Sequence, residues 1–263
     1  MIQVETGAGP IRHPTFLLEN IFTSPGTLTV VGGGDALATR AFSGATFDFW
    51  QADSNSGSLT ISLDTAATAD TLCIAAHNAG TRKAEISILK DIGAGFVTVG
   101  SFTPTDDSPI MIAFPEDEAA EWRVNFLAGT APAPVRVGVL MLGRRLTLQR
   151  GLEGGYVPTN WGQRVEVLGG ETLSGQFLGQ RVIRRSGQTR ISPVVMDSAW
   201  WVVNGDPLRA HYDEGLPFFY AGSPSLFPND LAYCWRAPSA EEMRPAYQLG
   251  GFISVGFEVN FYA

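Results

Sequence analysis

The chain has 263 residues, more than a single typical core of about 100–150 residues holds, so two domains are expected. Its net charge of −8 argues against a nucleic-acid binder held by phosphate contacts. Only 17% of residues are charged, below the roughly 25% of ordinary domains, and 30 Gly with 16 Pro indicate short strands joined by turns rather than helices.

In chain order, residues 1–40 carry few periodic signals and are expected to be an N-terminal extension that packs on the second domain or on a neighbour. Phe16–Phe22 is a short apolar patch, and Gly32-Gly33-Gly34 is a turn that lacks the Lys-Ser/Thr of a phosphate loop. From residue 41 to 147 the texture becomes repeated strands: FDFWQ, SLTISLD, TLCIAAH, AEISILK, FVTVGSF, IMIAF, EWRVNFL and VRVGVLML. Eight short runs with turn residues between them predict a β-sandwich of jelly-roll type. Glu116, Asp117, Glu118 and Glu121 are expected in an acidic loop before a strand anchored by Trp122. APAPV leads stiffly into the last strand, and GRRLTLQRG ends the sandwich.

Residues 148–263 are expected to form a second β-rich domain. QRVEVL and QFLGQRVIRRS are predicted strands, and Ser186-Gly187 is a predicted hairpin turn. One helical segment is expected: Asp197 as N-cap, SAWWVVN following, a break at Asn204-Gly205, and a restart at Asp206-Pro207. LPFFYAG, LAYCWRA and the terminal GFISVGFEVNFYA complete the strands, the last alternating apolar and polar residues over its length. The fold class is therefore all-β with one short helical segment.

Candidate chemistry is sparse. His13, His77 and His211 have no metal-ligand spacing, and no nucleophile elbow occurs. His211-Tyr212-Asp213-Glu214 has acid–base residue types, but its place at a helix end favours a structural role. The acidic residues cluster on one edge rather than facing each other across a cleft, so no enzyme activity and no cofactor are expected. Cys73 and Cys234 lie in apolar runs and are expected as free buried thiols. No apolar run reaches the length of a membrane span, and no secretory signal is expected at the N-terminus. Trp50, Asn78, Arg82 and Trp122 are candidate glycan contacts near sandwich loops. After Lys90 every basic residue is Arg, the residue suited to planar interface contacts. Arg144, Arg145, Arg150, Trp161, Arg184, Arg185, Phe227 and Trp235 are candidate subunit-interface residues.

The stretch from VGVLMLGRRLTLQRGLEGGYVP through GQFLGQRVIRR, SAWWVVNGDPLRAH and PFFYAGSPSLFPNDLAYCWR to FISVGFEVNFYA resembles tail-tip (distal tail or minor tail) proteins of long-tailed bacteriophages. The upstream strand order is similar to the galactose-binding, discoidin-like jelly roll. The resemblance implies a structural component of the virion tail tip, assembled in the host cytoplasm. Such a protein forms a homo-oligomeric ring, hexameric in that family, between the tail tube and the receptor-binding apparatus, with tube, hub and tape-measure proteins as neighbours. The jelly roll implies an alternative, a glycan-binding accessory tail protein that contacts the host surface.

Overall fold

The computed structural model describes residues 1–33, 35–53, 55–129 and 134–263, with the side chains of 35, 36 and 183–186 excepted. The chain is all-β with one short helical segment. Its strands are β1 (Ile2–Val4), β2 (Thr15–Leu17), β3 (Gly26–Val31), β4 (Trp50–Gln51), β5 (Ser56–His77), β6 (Glu85–Asp91), β7 (Phe96–Phe102), β8 (Ile110–Leu127) and β9 (Arg136–Gly143). They continue as β10 (Arg145–Thr147), β11 (Gln163–Glu171), β12 (Phe177–Ile191), β13 (Met196–Asp197), β14 (Phe218–Ala221), β15 (Leu231–Arg236), β16 (Ala246–Gln248), β17 (Phe252–Ser254) and β18 (Phe257–Tyr262). The helical pieces are α1 (Asp35–Ala38), α2 (Ser198–Trp200) and α3 (Asp206–Asp213), the last two joined by a π-turn over Trp201–Gly205. No helix among the described residues is long and apolar enough to cross a membrane.

Two long strands run through both layers of the sandwich. SLTISLD and TLCIAAH, expected as separate strands, are the two ends of the 22-residue β5, and IMIAF and EWRVNFL are the two ends of β8. The segment between the halves of β5, DTAATAD, has no Gly or Pro to reverse the chain. It stays extended and bends through register shifts at Ser62/Ala67 and Ala69/Thr71. Such shifts let a strand leave one layer and enter the facing one. The expected acidic loop is therefore strand: Asp117 and Glu118 pair with Ala69 and Thr68, and Pro115 falls within the irregular stretch, where a missing N–H is tolerated.

The outer layer is β3–β5–β8–β6–β7, using residues 58–63 of β5 and 121–127 of β8. The inner layer is β4–β9–β5–β8–β1, using 71–77 of β5 and 110–113 of β8, with β1 parallel to β8. Between them lie Leu59, Ile61, Leu72, Ile74, Ile86, Ile88, Ile112, Trp122, Phe126 and Leu140, all buried. Burying each such side chain favours folding by about 1.5–3 kcal/mol.

The inner layer is apolar on both faces. Leu72, Ile74, Ile110, Ile112, Leu140 and Leu142 point into the sandwich, while Cys73, Ala75, Met111, Ala113, Val139 and Met141 point the other way. That second face packs on a seven-stranded sheet ordered β10–β2–β14–β15–β18–β12–β11. Leu17, Phe219, Ala221, Leu231 and Tyr233 meet it, while Phe16, Phe218, Tyr220, Ala232 and Cys234 face the helices and the small β13–β17–β16 sheet. The unbroken apolar runs of β14 and β15 follow, since strands covered on both faces do not alternate.

The expected boundaries at 40 and 147 shift. β3 lies inside the sandwich, β1 pairs with β8, and β2 is a strand of the seven-stranded sheet, so residues 1–40 are divided between the two halves. β10 already belongs to the second sheet through Leu146 opposite Phe16. The expected hairpin turn at Ser186-Gly187 is mid-strand: Gly187 pairs with Gln163 on one side and Phe261 on the other. A Cβ there would lie 1.9 Å from the Phe261 ring, which is why the position is glycine. The terminal run also divides, β17 into the small sheet and β18 into the large one, although Val255, Phe257, Val259 and Phe261 keep one buried face. The helix starts where expected, but the expected break at Asn204-Gly205 does not occur: the backbone stays helical through a π-turn into α3. Asp197 Oδ1 accepts the N–H groups of Ala199 (2.9 Å) and Trp200 (3.1 Å), and the π-turn precedes Pro207, which cannot donate. Gly34 and most of APAPV lie outside the described residues.

Candidate functional site

The sandwich loops do not assemble the expected glycan contacts. Trp50 and Trp122 are fully buried. Trp50 packs on Phe126, with ring centroids 5.7 Å apart, and its indole N–H has no hydrogen-bond partner among the described residues. Trp122 donates its indole N–H to the Ala67 carbonyl (3.3 Å) and faces Phe114. Neither ring has a face for a ligand, because strand alternation turns both into the core. Asn78 spends its amide on the chain itself, donating to the Pro134 carbonyl (3.2 Å) and accepting from the Arg136 N–H (2.7 Å). Arg82 is half-buried in the turn after β5.

The interface candidates divide. Arg145 is committed internally. Its guanidinium donates to the carbonyls of Asp70 (3.0 Å) and Ala8 (3.1 Å), and only 15% of its side chain is exposed. Arg144 is exposed and pairs with Glu116 at 2.7 Å. Arg150 lies over the Phe252 ring at 5.1 Å. Trp235 is half-buried beside Tyr233 in the seam between sandwich and sheet. The side chains of Arg184 and Arg185 lie outside the described residues. Trp161 is 65% exposed and meets half-buried Phe227 edge-on, with centroids 5.1 Å apart. Cys73 and Cys234 are free and buried, and burial pushes both thiols well up.

Trp161 and Phe227 sit on two loops that share one anchor. Asp230, fully buried at the start of β15, accepts from the Tyr156 hydroxyl (3.0 Å), the Thr159 N–H (2.8 Å), the Thr159 hydroxyl (3.0 Å) and the Ser223 N–H (3.1 Å). Neutral donors from both loops thus converge on one carboxylate, which compensates the cost of burying it. Burial pushes the Tyr156 hydroxyl far above its ordinary value, so it stays a donor.

These loops present Asn160 and Asn229 to a cleft of about 650 Å³ between the second sheet and the sandwich. Gln163, Tyr262 and Ala263 line it from the sheet, and Asp106, Asp107 and Ser108 from the sandwich. Trp161 adjoins Asn160 in the chain, and Phe227 is two residues from Asn229. Asp107 is held by the Thr81 N–H (2.8 Å) and the Thr81 hydroxyl. Hydrogen bonds from Ser108, first of all its hydroxyl, hold the Asp106 carboxyl below its usual range.

Under this turn lies buried His77. Its Nδ1 accepts the Ala79 N–H (3.1 Å), so its Nε2 carries the proton donated to the Ser108 carbonyl (2.8 Å). Burial pushes its pKa down, keeping the ring neutral.

Amides and carboxylates in a cleft of this size suit the hydroxyl groups of a polar ligand, and the Tyr262 ring in its lining suits an apolar face. No Lys or Arg among the described residues lines the cleft, so nothing in it favours an anionic ligand. A cleft of about 670 Å³ beside β18 is lined by Arg190, Arg244, Glu241 and Glu258, whose charges pair with one another. The His211 group is occupied by structural hydrogen bonds. His211 Nε2 is 2.9 Å from the Pro217 carbonyl, Tyr212 donates to the Glu258 carbonyl, and Asp213 accepts the Met243 N–H. No cluster of three or more His, Cys, Asp or Glu that would hold a metal occurs among the described residues.

What the geometry defines is a class: a stacked β protein with a polar cleft, lined in part by Phe261 and Tyr262, between its two sheets and their loops. No family model matches the chain. No curated protein matches it either. Among solved structures it is similar to a pectin binding carbohydrate binding module (13% identity, TM-score 0.38, covering 46% of this chain and 91% of that one). It is also similar to chitosan-binding module 1 of a chitosanase/glucanase from Paenibacillus sp. IK-5 (20%, TM-score 0.39, 47% and 98%). A third is the family 32 module of NanJ from C. perfringens, in complex with galactose (16%, TM-score 0.38, 44% and 91%).

Proposed function

We propose that this chain is a non-catalytic carbohydrate-binding β protein whose ligand, an uncharged glycan, lies in the cleft of Asn160, Asn229, Asp107 and Tyr262. The observation that carries this reading is the shared anchor. One buried carboxylate, Asp230, fixes two loops that present an exposed tryptophan and two amides lacking side-chain partners among the described residues. Binding residues are often carried on loops, and such residues work best when supporting hydrogen bonds fix the loops' geometry. The test is a glycan array probed with the intact chain and with Trp161→Ala. Binding to neutral glycans that falls tenfold or more in the variant, with the melting temperature unchanged, supports the reading. Absence of binding to any glycan, or binding undiminished in Trp161→Ala, removes it.

A second reading, a structural component of a bacteriophage tail tip, is favoured by the β11–β12 ribbon, in which β12 before Gly187 pairs with β11 alone, leaving apolar residues such as Leu168 and Phe177 exposed. The two readings are compatible, since a tail component can touch the host surface through a glycan. Antibody labelling of purified phage particles would decide the tail reading: label at one tail end supports it, and unlabelled particles remove it.

A further inference from the structure

β12 pairs with β18 only over Gly187–Ile191, while its residues before Gly187 pair with β11 alone. Among the described residues β11 has β12 as its one partner strand. A two-stranded ribbon is marginal in water by itself, and its large side chains are uncovered. Leu173 is fully exposed, and Leu168, Phe177 and Leu178 are each about two-thirds exposed. Adjacent residues of a strand point to opposite faces. Val167 with Leu168, and Phe177 with Leu178, therefore put apolar groups on both faces of the ribbon. The turn that joins the two strands is closed on itself. The Thr172 N–H donates to the Gln176 carbonyl (2.9 Å), the Gly175 N–H to the Thr172 carbonyl (2.9 Å) and the Gln176 N–H to the Thr172 hydroxyl (3.0 Å). Leu173 thus stands on a turn that spends these three backbone donors internally.

The distribution of these groups points to what covers them. A protein partner with one complementary surface covers one face of a ribbon. Here both faces and the joining turn are apolar, and the turn asks for few outside hydrogen bonds. Those are the demands of a surrounding apolar medium, in which backbone groups must find their partners within the chain. Charge is almost absent from this end: between 168 and 178 the one charged side chain is Glu171. Over 163–182, Arg164 and Arg181 balance Glu166 and Glu171, so the segment is neutral on a chain of −8. We infer that the 168–178 end of the ribbon dips into the surface of a lipid bilayer. Leu173, Phe177 and Leu178 enter the acyl boundary, and Arg181, which pairs with Leu168 across the ribbon, lies at headgroup level. The open strand edges behind the turn stay in the hydrated headgroup region, so the contact is a surface anchor and not a span. Because the segment is neutral, the attraction is apolar and needs no anionic lipid. This inference is independent of the glycan reading.

The experiment measures flotation of the intact chain with phosphatidylcholine vesicles, beside three variants whose folding is checked by circular dichroism and thermal unfolding. The expected result is a parent that floats with the vesicles at low and at high salt. Leu173→Ser/Phe177→Ser should bind at least tenfold more weakly. Glu171→Gln, which removes the one charge near the turn, should bind at least threefold more tightly. Phe47→Ser, an exposed aromatic outside the ribbon, should bind as the parent does. A second measurement does not depend on weakening the contact. Leu173→Cys is labelled with an environment-sensitive fluorophore, the native Cys73 and Cys234 being buried. Its emission should shift to the blue on adding vesicles. A parent that stays off the vesicles, including one that binds only a protein through this ribbon, overturns the inference. So does a Leu173→Ser/Phe177→Ser variant that floats as the parent does, a label at 173 that stays in water, or binding that high salt abolishes.

Discussion

Arg145 donates its backbone N–H to Asp70 Oδ1 at 2.8 Å and holds its guanidinium 3.5 Å from Asp70 Oδ2. Asp70 lies at the bend of β5, and Arg145 begins the strand that enters the second sheet, so this pair joins the two halves where the chain passes between them. Burial raises the Asp70 pKa, with the Arg145 contacts opposing the rise. Arg145→Ala leaves a buried carboxylate without its cation and should cost about 3 kcal/mol at neutral pH. The pKa of Asp70 then rises further above its unfolded value. The folded form takes up a proton as pH falls, so the deficit should shrink between about pH 7 and pH 5. Denaturant unfolding of parent and variant at both pH values checks this.

Asp230 joins the two loops of the cleft. Asp230→Ala leaves the Tyr156 and Thr159 hydroxyls and two backbone N–H groups without their acceptor, and should cost about 3 kcal/mol or more. It should weaken ligand binding together with stability. Trp161→Ala, on the surface, should weaken binding alone. Unfolding and binding measured on the same two variants separate positioning from contact.

His77 carries a pH dependence of defined sign. Its folded pKa lies below the unfolded value of 6.5 because burial disfavours the cation. The unfolded chain therefore binds the extra proton first, and this contribution is full above about pH 6.5 and declines below it. Protonation also puts a hydrogen on Nδ1, facing the Ala79 N–H. Melting temperature should fall from pH 7 to pH 5.5 in the parent more steeply than in His77→Gln. Equal slopes would show that His77 does not titrate with folding.

Gly187 tests how the β11–β12 ribbon joins the sheet. An alanine methyl would meet the Phe261 ring, which is packed in the second core, at less than 2 Å. Gly187→Ala should destabilise by about 1–3 kcal/mol through overpacking. In Gly187→Ala/Phe261→Leu the loss from the glycine change should be partly relieved, a coupling that a double-mutant cycle measures.

Local patterning was informative where one side chain settles one local choice. The Asp197 cap, the restart at Asp206-Pro207, the two free cysteines and the alternating face of Val255, Phe257, Val259 and Phe261 could all be read without a structure. Trp50 and Trp122 could not be placed that way. Alternation says that a residue lies on one face of a strand, but not whether a second layer covers that face. The Asn160–Asn229 cleft gave even less signal, since its lining runs from Asp106 to Ala263, 263 − 106 = 157 positions apart in the chain, and comes together only through the strand order.

The amino-acid pattern by itself determined that this is an all-β chain, where most strands begin and stop, and that acidic charge dominates it, because these follow from side-chain period, turn chemistry and simple counting. Only the tertiary structure decided that β5 and β8 each serve two layers, that the first forty residues are shared between the halves, and that part of β11 and β12 pairs only with each other. Those outcomes depend on which distant strand supplies the backbone hydrogen bonds and the apolar cover for each face. That is a competition among partners far apart in sequence, and no local window contains both competitors.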